Sequence, residues 1–158
     1  MSDTDSRQNP LSAHWAICTT MFTLLIGYNV LCHFYGDHIR APIDESQRIV
    51  IRTVLYTVAI ILFPLTNLMR HILLRLNQTM PGPRSASQRY LLTIIITQSM
   101  IESIALFGPI MFVLGDDFNT LYIFSILGAL GIFLHKPNRS DYNDIIDALS
   151  SPRHKSSP

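Results

Sequence analysis

The chain has 158 residues, of which 48% are hydrophobic and only 15% charged, with a formal net charge of +1. So lean a charge content is unsuited to a soluble domain, whose whole surface must be kept in water. The charges also avoid four blocks, approximately 13–35, 53–69, 90–114 and 118–134, each in or near the roughly 17 to 25 residues that a membrane-spanning helix needs. The expected fold is therefore an all-α membrane protein. It has a four-helix transmembrane domain over 13–134, a polar segment over 1–12 before it, and a tail over 135–158 that carries a short helix at about 140–149.

The leader MSDTDSRQNP sets Asp3 and Asp5 against Arg7, the apolar run behind it is too long for a signal core, and no small-x-small cleavage pattern follows. The first span should therefore be retained. It contains both cysteines, Cys18 and Cys32, and their separation of about 21 Å along one helix forbids a bridge between them. Ala16, Thr20, Thr23 and Gly27 form a small-residue seam on one face, expected to pack inside the bundle. Thr53, Thr57 and Pro64 play that part in the second span, where Pro64 should bend the helix. Beyond it, RHILLRLNQTM mixes Arg70, His71 and Arg75 with aliphatic residues. This stretch suits the membrane surface, with Arg70 and Arg75 in contact with lipid headgroups or serving as the basic anchor of a loop.

The third span carries the one candidate site. Glu102 stands at the midpoint of the apolar run from Tyr90 to Leu114, with Gln98 one turn earlier and Ser99 and Ser103 beside it. Every Arg, Lys and His lies at or beyond a span end, so no cation is available at that depth, and an ionised carboxylate would cost roughly 2.5 to 3.5 kcal/mol there. A neutral, protonated Glu102 is expected, in a polar sector that faces the bundle or a partner. Thr23, Thr57 and Ser125 lie at matching depths and are its expected hydrogen-bond partners. Gly108-Pro109 should bend this span.

A short acidic turn, Gly115-Asp116-Asp117-Phe118, leads into the fourth span, where Ser125, Gly128 and Gly131 offer close packing. After Pro137, Ser140 can cap a helix whose Tyr142, Ile145, Ile146 and Leu149 fall on one face and should dock. The last residues, SPRHKSSP, read as a disordered tail.

Nine of the twelve lysines and arginines fall before the first span, between spans two and three, or after span four, and three fall in the first loop. Basic segments stay in the cytoplasm, which places both termini of this multi-pass chain there. His14, His71 and His135 collect near the cytoplasmic interface as conceivable haem or metal ligands, but no HxxxH or CxxCH spacing accompanies them. No cofactor is therefore expected. Nucleophile elbow, phosphate loop, zinc motif and nucleic-acid module are all absent from the sequence, so neither a conventional enzyme nor a nucleic-acid partner is expected.

Glu102-Ser-Ile-Ala-Leu-Phe-Gly108 resembles the second helix of the ATP synthase proteolipid, subunit c. There a midmembrane carboxylate precedes an aliphatic and aromatic pair and then glycine, and the resemblance implies a proton-binding Glu102. Pro109 stands where that family has an aliphatic residue. The whole chain is similar to small bacterial four-span inner-membrane proteins with an ExxxxxG third helix. The expected function is a membrane interaction protein, a subunit, assembly or accessory factor, whose partners are the bilayer and other membrane subunits or a second copy. Two alternatives stand beside it: an ion-coupled protein that uses Glu102 to bind a proton, and a redox subunit that holds haem or metal.

Overall fold

The computed structural model describes residues 11–79 and 85–150, and these form five α-helices with no strand among them. They are α1 (Ser12–Ile39), α2 (Glu45–Thr79), α3 (Ala86–Val113), α4 (Phe118–Leu134) and α5 (Arg139–Ser150). The leader, Arg84 and the final eight residues lie outside the described residues. α1, α2 and α3 are each long and apolar enough to cross a membrane, and α4 joined to α5 across a 43° bend makes up to a fourth such segment. α4 alone has 17 residues, the short end of the range that spans a bilayer.

α2 extends well past the expected 53–69. It runs for 35 residues, about 52 Å at 1.5 Å per residue, and so exceeds a hydrocarbon core of about 30 Å. The surface stretch from Arg70 onward is simply its continuation. Neither Pro64 nor Pro109 ends its helix. A missing N–H costs one ladder bond, and the hydrogen bonds on either side of each proline continue the helix.

α3 is the axis of the bundle. It packs on all four other helices, and its buried residues lie on several faces, whereas α2 buries only Ala59 and Thr66. Its closest partner is α4, because glycine lets the backbones approach. A Cβ built on Gly128 would meet Ala105 Cβ at 2.6 Å, and one on Gly131 would meet Ile101 at 2.7 Å. The expected close packing of α4 is thus met on α3. The expected seam of α1 is not: Ala16, Thr20, Thr23 and Gly27 are all exposed, with nothing within 4 Å of a Cβ at Gly27. α1 instead packs through His14, Cys18, Leu25, Cys32 and Gly36. Thr53 and Thr57 also face outward, their hydroxyls donating to carbonyls four residues back in their own helix.

At one end the α3–α4 turn is held by three arginines. Gly115, at φ 92° and with Pro42 Cβ 2.7 Å from where its own Cβ would be, can only be glycine. Arg48 donates to Gly115 O, Arg40 to Asp116 O and Arg52 to the Asp116 carboxylate at 3.1 Å. At the opposite end Ile145 of α5 is fully buried against Leu11, Tyr90 and Ile94, and the backbone N–H of Asn138 donates to Tyr90 Oη at 2.8 Å.

Candidate functional site

Gln98 and Glu102 occupy one face of α3 one turn apart, and both are buried, at 0% and 7% exposure. Ser99 and Ser103 are exposed, and Ser103 donates to Ser99 O in the helix itself. The four residues therefore form an inward pair and an outward pair, since positions i and i+1 on a helix diverge by about 100°. None of the expected partners reaches Glu102. Thr23 and Thr57 bond to their own helices, and Ser125 exchanges hydrogen bonds with Asn29 of α1 and donates to Leu121 O. The group that faces the carboxyl is the Tyr28 hydroxyl on α1. Both Glu102 oxygens are nevertheless buried with no partner within hydrogen-bonding geometry, and Gln98 Oε1 is in the same condition.

Gln98 connects this pair to the α5 end. Its Nε2 donates to His135 O at 3.2 Å and lies 3.7 Å from Cys18 Sγ. His135 caps α4; its ring Nδ1 is 2.9 Å from Gly131 O, so it carries the proton, and Nε2 is buried without a partner. Burial lowers the pKa of this imidazole, with the Arg70 charge in the same direction and the Gly131 bond opposing. His135 also lines an open cleft of about 1090 Å³ between the second half of α2, Trp15 and the α4–α5 connection. From that cleft, His135 is joined through its carbonyl to Gln98, and Glu102 follows one turn further along α3 with no bond to Gln98. Beyond Glu102 the helices meet through the apolar Leu25, Ala105, Gly128 and Phe124 and then through the Asn29–Ser125 pair.

Arg70 is not free for a headgroup. Its guanidinium donates to His135 O at 2.6 Å, Lys136 O at 3.3 Å and the Asp141 carboxylate at 2.8 Å, which ties α2 to the start of α5. Arg75 is exposed. The three histidines do not converge: His71 is exposed, His14 lies against the rings of Tyr90 and Tyr142, and His135 is held on α4. Among the described residues no three His, Cys, Asp or Glu side chains are grouped as a metal would need.

Tyr28, the Asn29–Ser125 pair and the arginine clamp on Asp116 were not found by sequence reasoning. Tyr28 left a usable signal, a tyrosine well inside an apolar span, whose hydroxyl needs a polar neighbour. Asn29 left the same signal. Compared with protein-family models, curated proteins and solved structures, the chain has no match in any of the three.

Proposed function

We propose that the protein is an integral membrane protein of four spans with both termini cytoplasmic, and that Glu102 is a proton-binding site reached from the cytoplasmic side. The orientation rests on the basic residues, nine against three, and the three on the far side are those spent on the Gly115-Asp116 turn. What carries the assignment of Glu102 is the burial of its carboxyl, whose facing group is the Tyr28 hydroxyl and whose oxygens both lie outside strict hydrogen-bond geometry. A carboxyl that served only to join helices would be expected to hold its oxygens in well-formed bonds to another helix, to offset its desolvation. A carboxyl that exchanges a proton needs instead a polar way in, and the proposed one passes Gln98 and His135, the two joined at 3.2 Å on the cleft side of Glu102. The ion-coupled reading is therefore preferred to the purely structural one.

The test is infrared difference spectroscopy on the reconstituted protein during a pH step. A carboxylic-acid carbonyl band should appear and disappear with pH and be missing in Glu102→Gln. If no such band changes over the range in which the protein stays folded, the site does not exchange protons and the reading fails.

A second reading, an interaction subunit, is favoured by the outward stripe Ala16, Thr20, Thr23 and Gly27, which is shaped for a close helix neighbour and has none in the monomer. Particle mass in mild detergent tests it, with Gly27→Ile as the control. Its open surroundings leave the monomer's own packing undisturbed, so an unchanged mass in that variant counts against the stripe.

A further inference from the structure

We propose that the α5 end binds one phospholipid with an anionic headgroup, the phosphate held between Lys136 and Arg139 and an acyl chain laid in the groove between α1 and α4. The proposal uses the membrane-spanning reading but not the role of Glu102. Two cavities meet there. One is the cleft of about 1090 Å³, into which Lys136 and Arg139 face beside Arg70 and Asn138. The other is a groove of about 300 Å³ with walls of Cys18, Phe22, Ala129, Ile132 and Phe133. Trp15 and Lys136 border both, so the two are adjoining parts of one surface.

The chemistry of each part matches one portion of a lipid. The groove runs from Trp15 to Phe22 along α1, about 10 Å, and Thr19 is the one wall residue besides Lys136 that brings a polar side chain. That length and polarity suit the upper part of an acyl chain. At its mouth Trp15 is half exposed, in the amphipathic position that indoles take between chains and headgroups. The charge balance decides which headgroup fits. Arg70 is neutralised by Asp141, while Lys136 and Arg139 are exposed and in no ion pair among the described residues. Lys136 has its Nζ 4.2 Å over the Phe133 ring, directly where the groove opens. Two uncompensated cations favour an anionic over a zwitterionic headgroup.

The experiment measures binding to the full-length protein in detergent by native mass spectrometry and by thermal shift. The probes are phosphatidylglycerol, phosphatidylcholine with the same chains, and inorganic phosphate. Phosphatidylglycerol should be retained at one copy and raise the unfolding temperature, while the other two should do neither. Lys136→Gln with Arg139→Gln removes both exposed charges at the cost of one surface contact, Lys136 on the Phe133 ring, and should weaken phosphatidylglycerol binding roughly thirtyfold. Thr19→Trp fills the groove from an exposed position and should also displace the lipid. Equal retention of phosphatidylcholine, an equal shift from inorganic phosphate, or unchanged binding in either variant each overturns the proposal.

Discussion

Glu102 is held in a place where ordinary stability would not put it. Leaving a buried polar group short of a well-formed hydrogen bond costs about 1 to 3 kcal/mol, and both oxygens of this carboxyl lie outside that geometry although the Tyr28 hydroxyl faces them. Glu102→Leu should therefore leave the thermal stability in detergent unchanged or raise it by about 1 kcal/mol, because leucine removes the desolvation cost. A clear loss of stability in Leu, with Gln unaffected, would instead mean that the carboxyl makes an interhelical hydrogen bond. His135 gives a second test at this scale. Burial holds its folded-state pKa below the ordinary value of 6.5, so the unfolded chain takes up a proton at this residue before the folded one does. Its contribution to stability is complete above pH 6.5 and is lost as the pH falls from there towards the lower folded value. His135→Gln keeps an amide N–H for Gly131 O but has nothing to titrate, and its unfolding temperature should fall less between pH 7.5 and 5.5 than that of the parent. Parallel curves for the two proteins would show that His135 is not the group responsible.

Elements follow from the sequence unevenly, and the reason is which interaction sets each boundary. Apolar length located α1, α3 and α4 to within a few residues at most ends, because lipid solvation alone defines such segments. It could not set the limits of α2, which enters the helix at Glu45 and leaves at Thr79. Its charged ends, Arg48, Arg52 and Arg70, are helical because they bond to the α3–α4 turn and to the α4–α5 connection, contacts between distant parts of the chain. The inward faces were hardest to read. In water the apolar face is the buried one, but in a membrane both faces are apolar, so the small-residue seam of α1 gave no sign of which way it points. α5 lies outside that difficulty: amphipathic spacing puts a helix at about 140–149, and it runs over Arg139–Ser150. Within its apolar face Ile145 is fully buried while Ile146 is 38% exposed. Ile145→Ser alone should thus release α5 and speed proteolysis near Ser150 several-fold, whereas Ile146→Ser should be cut at the parent rate. Equal rates in all three proteins would mean that α5 does not depend on this contact.

At the scale of the molecule the two ends differ in what their charges do. At the turn end Arg40 and Arg48 donate to the carbonyls of Asp116 and Gly115, Arg52 pairs with the Asp116 carboxylate, and Arg40 also lies 4.3 Å over the Phe112 ring, so all three cations at this end are hydrogen-bonded within the fold. At the α5 end Arg75, Lys136 and Arg139 remain exposed. This sharpens the orientation argument, because cations satisfied within the fold cost less to carry across a membrane than the same cations left free. The candidate site itself was legible at Gln98 and Glu102, where a polar residue in an apolar run needs a reason. The bond from Gln98 toward the cleft was not, since it joins residues 37 apart in sequence, Gln98 and His135. Orientation can be settled with single cysteines and a membrane-impermeant maleimide, for Cys18 and Cys32 are buried and contribute little background. Asp44 and Asn143 are exposed at opposite ends and belong to neither clamp. Asp44→Cys should be labelled in intact cells, and Asn143→Cys only after permeabilisation. The reverse pattern would invert the protein and move the proposed way in to Glu102 to the other side of the membrane. Labelling of both in intact cells would put the two ends on one side, which four antiparallel spans forbid, and the spanning arrangement would then have to be abandoned.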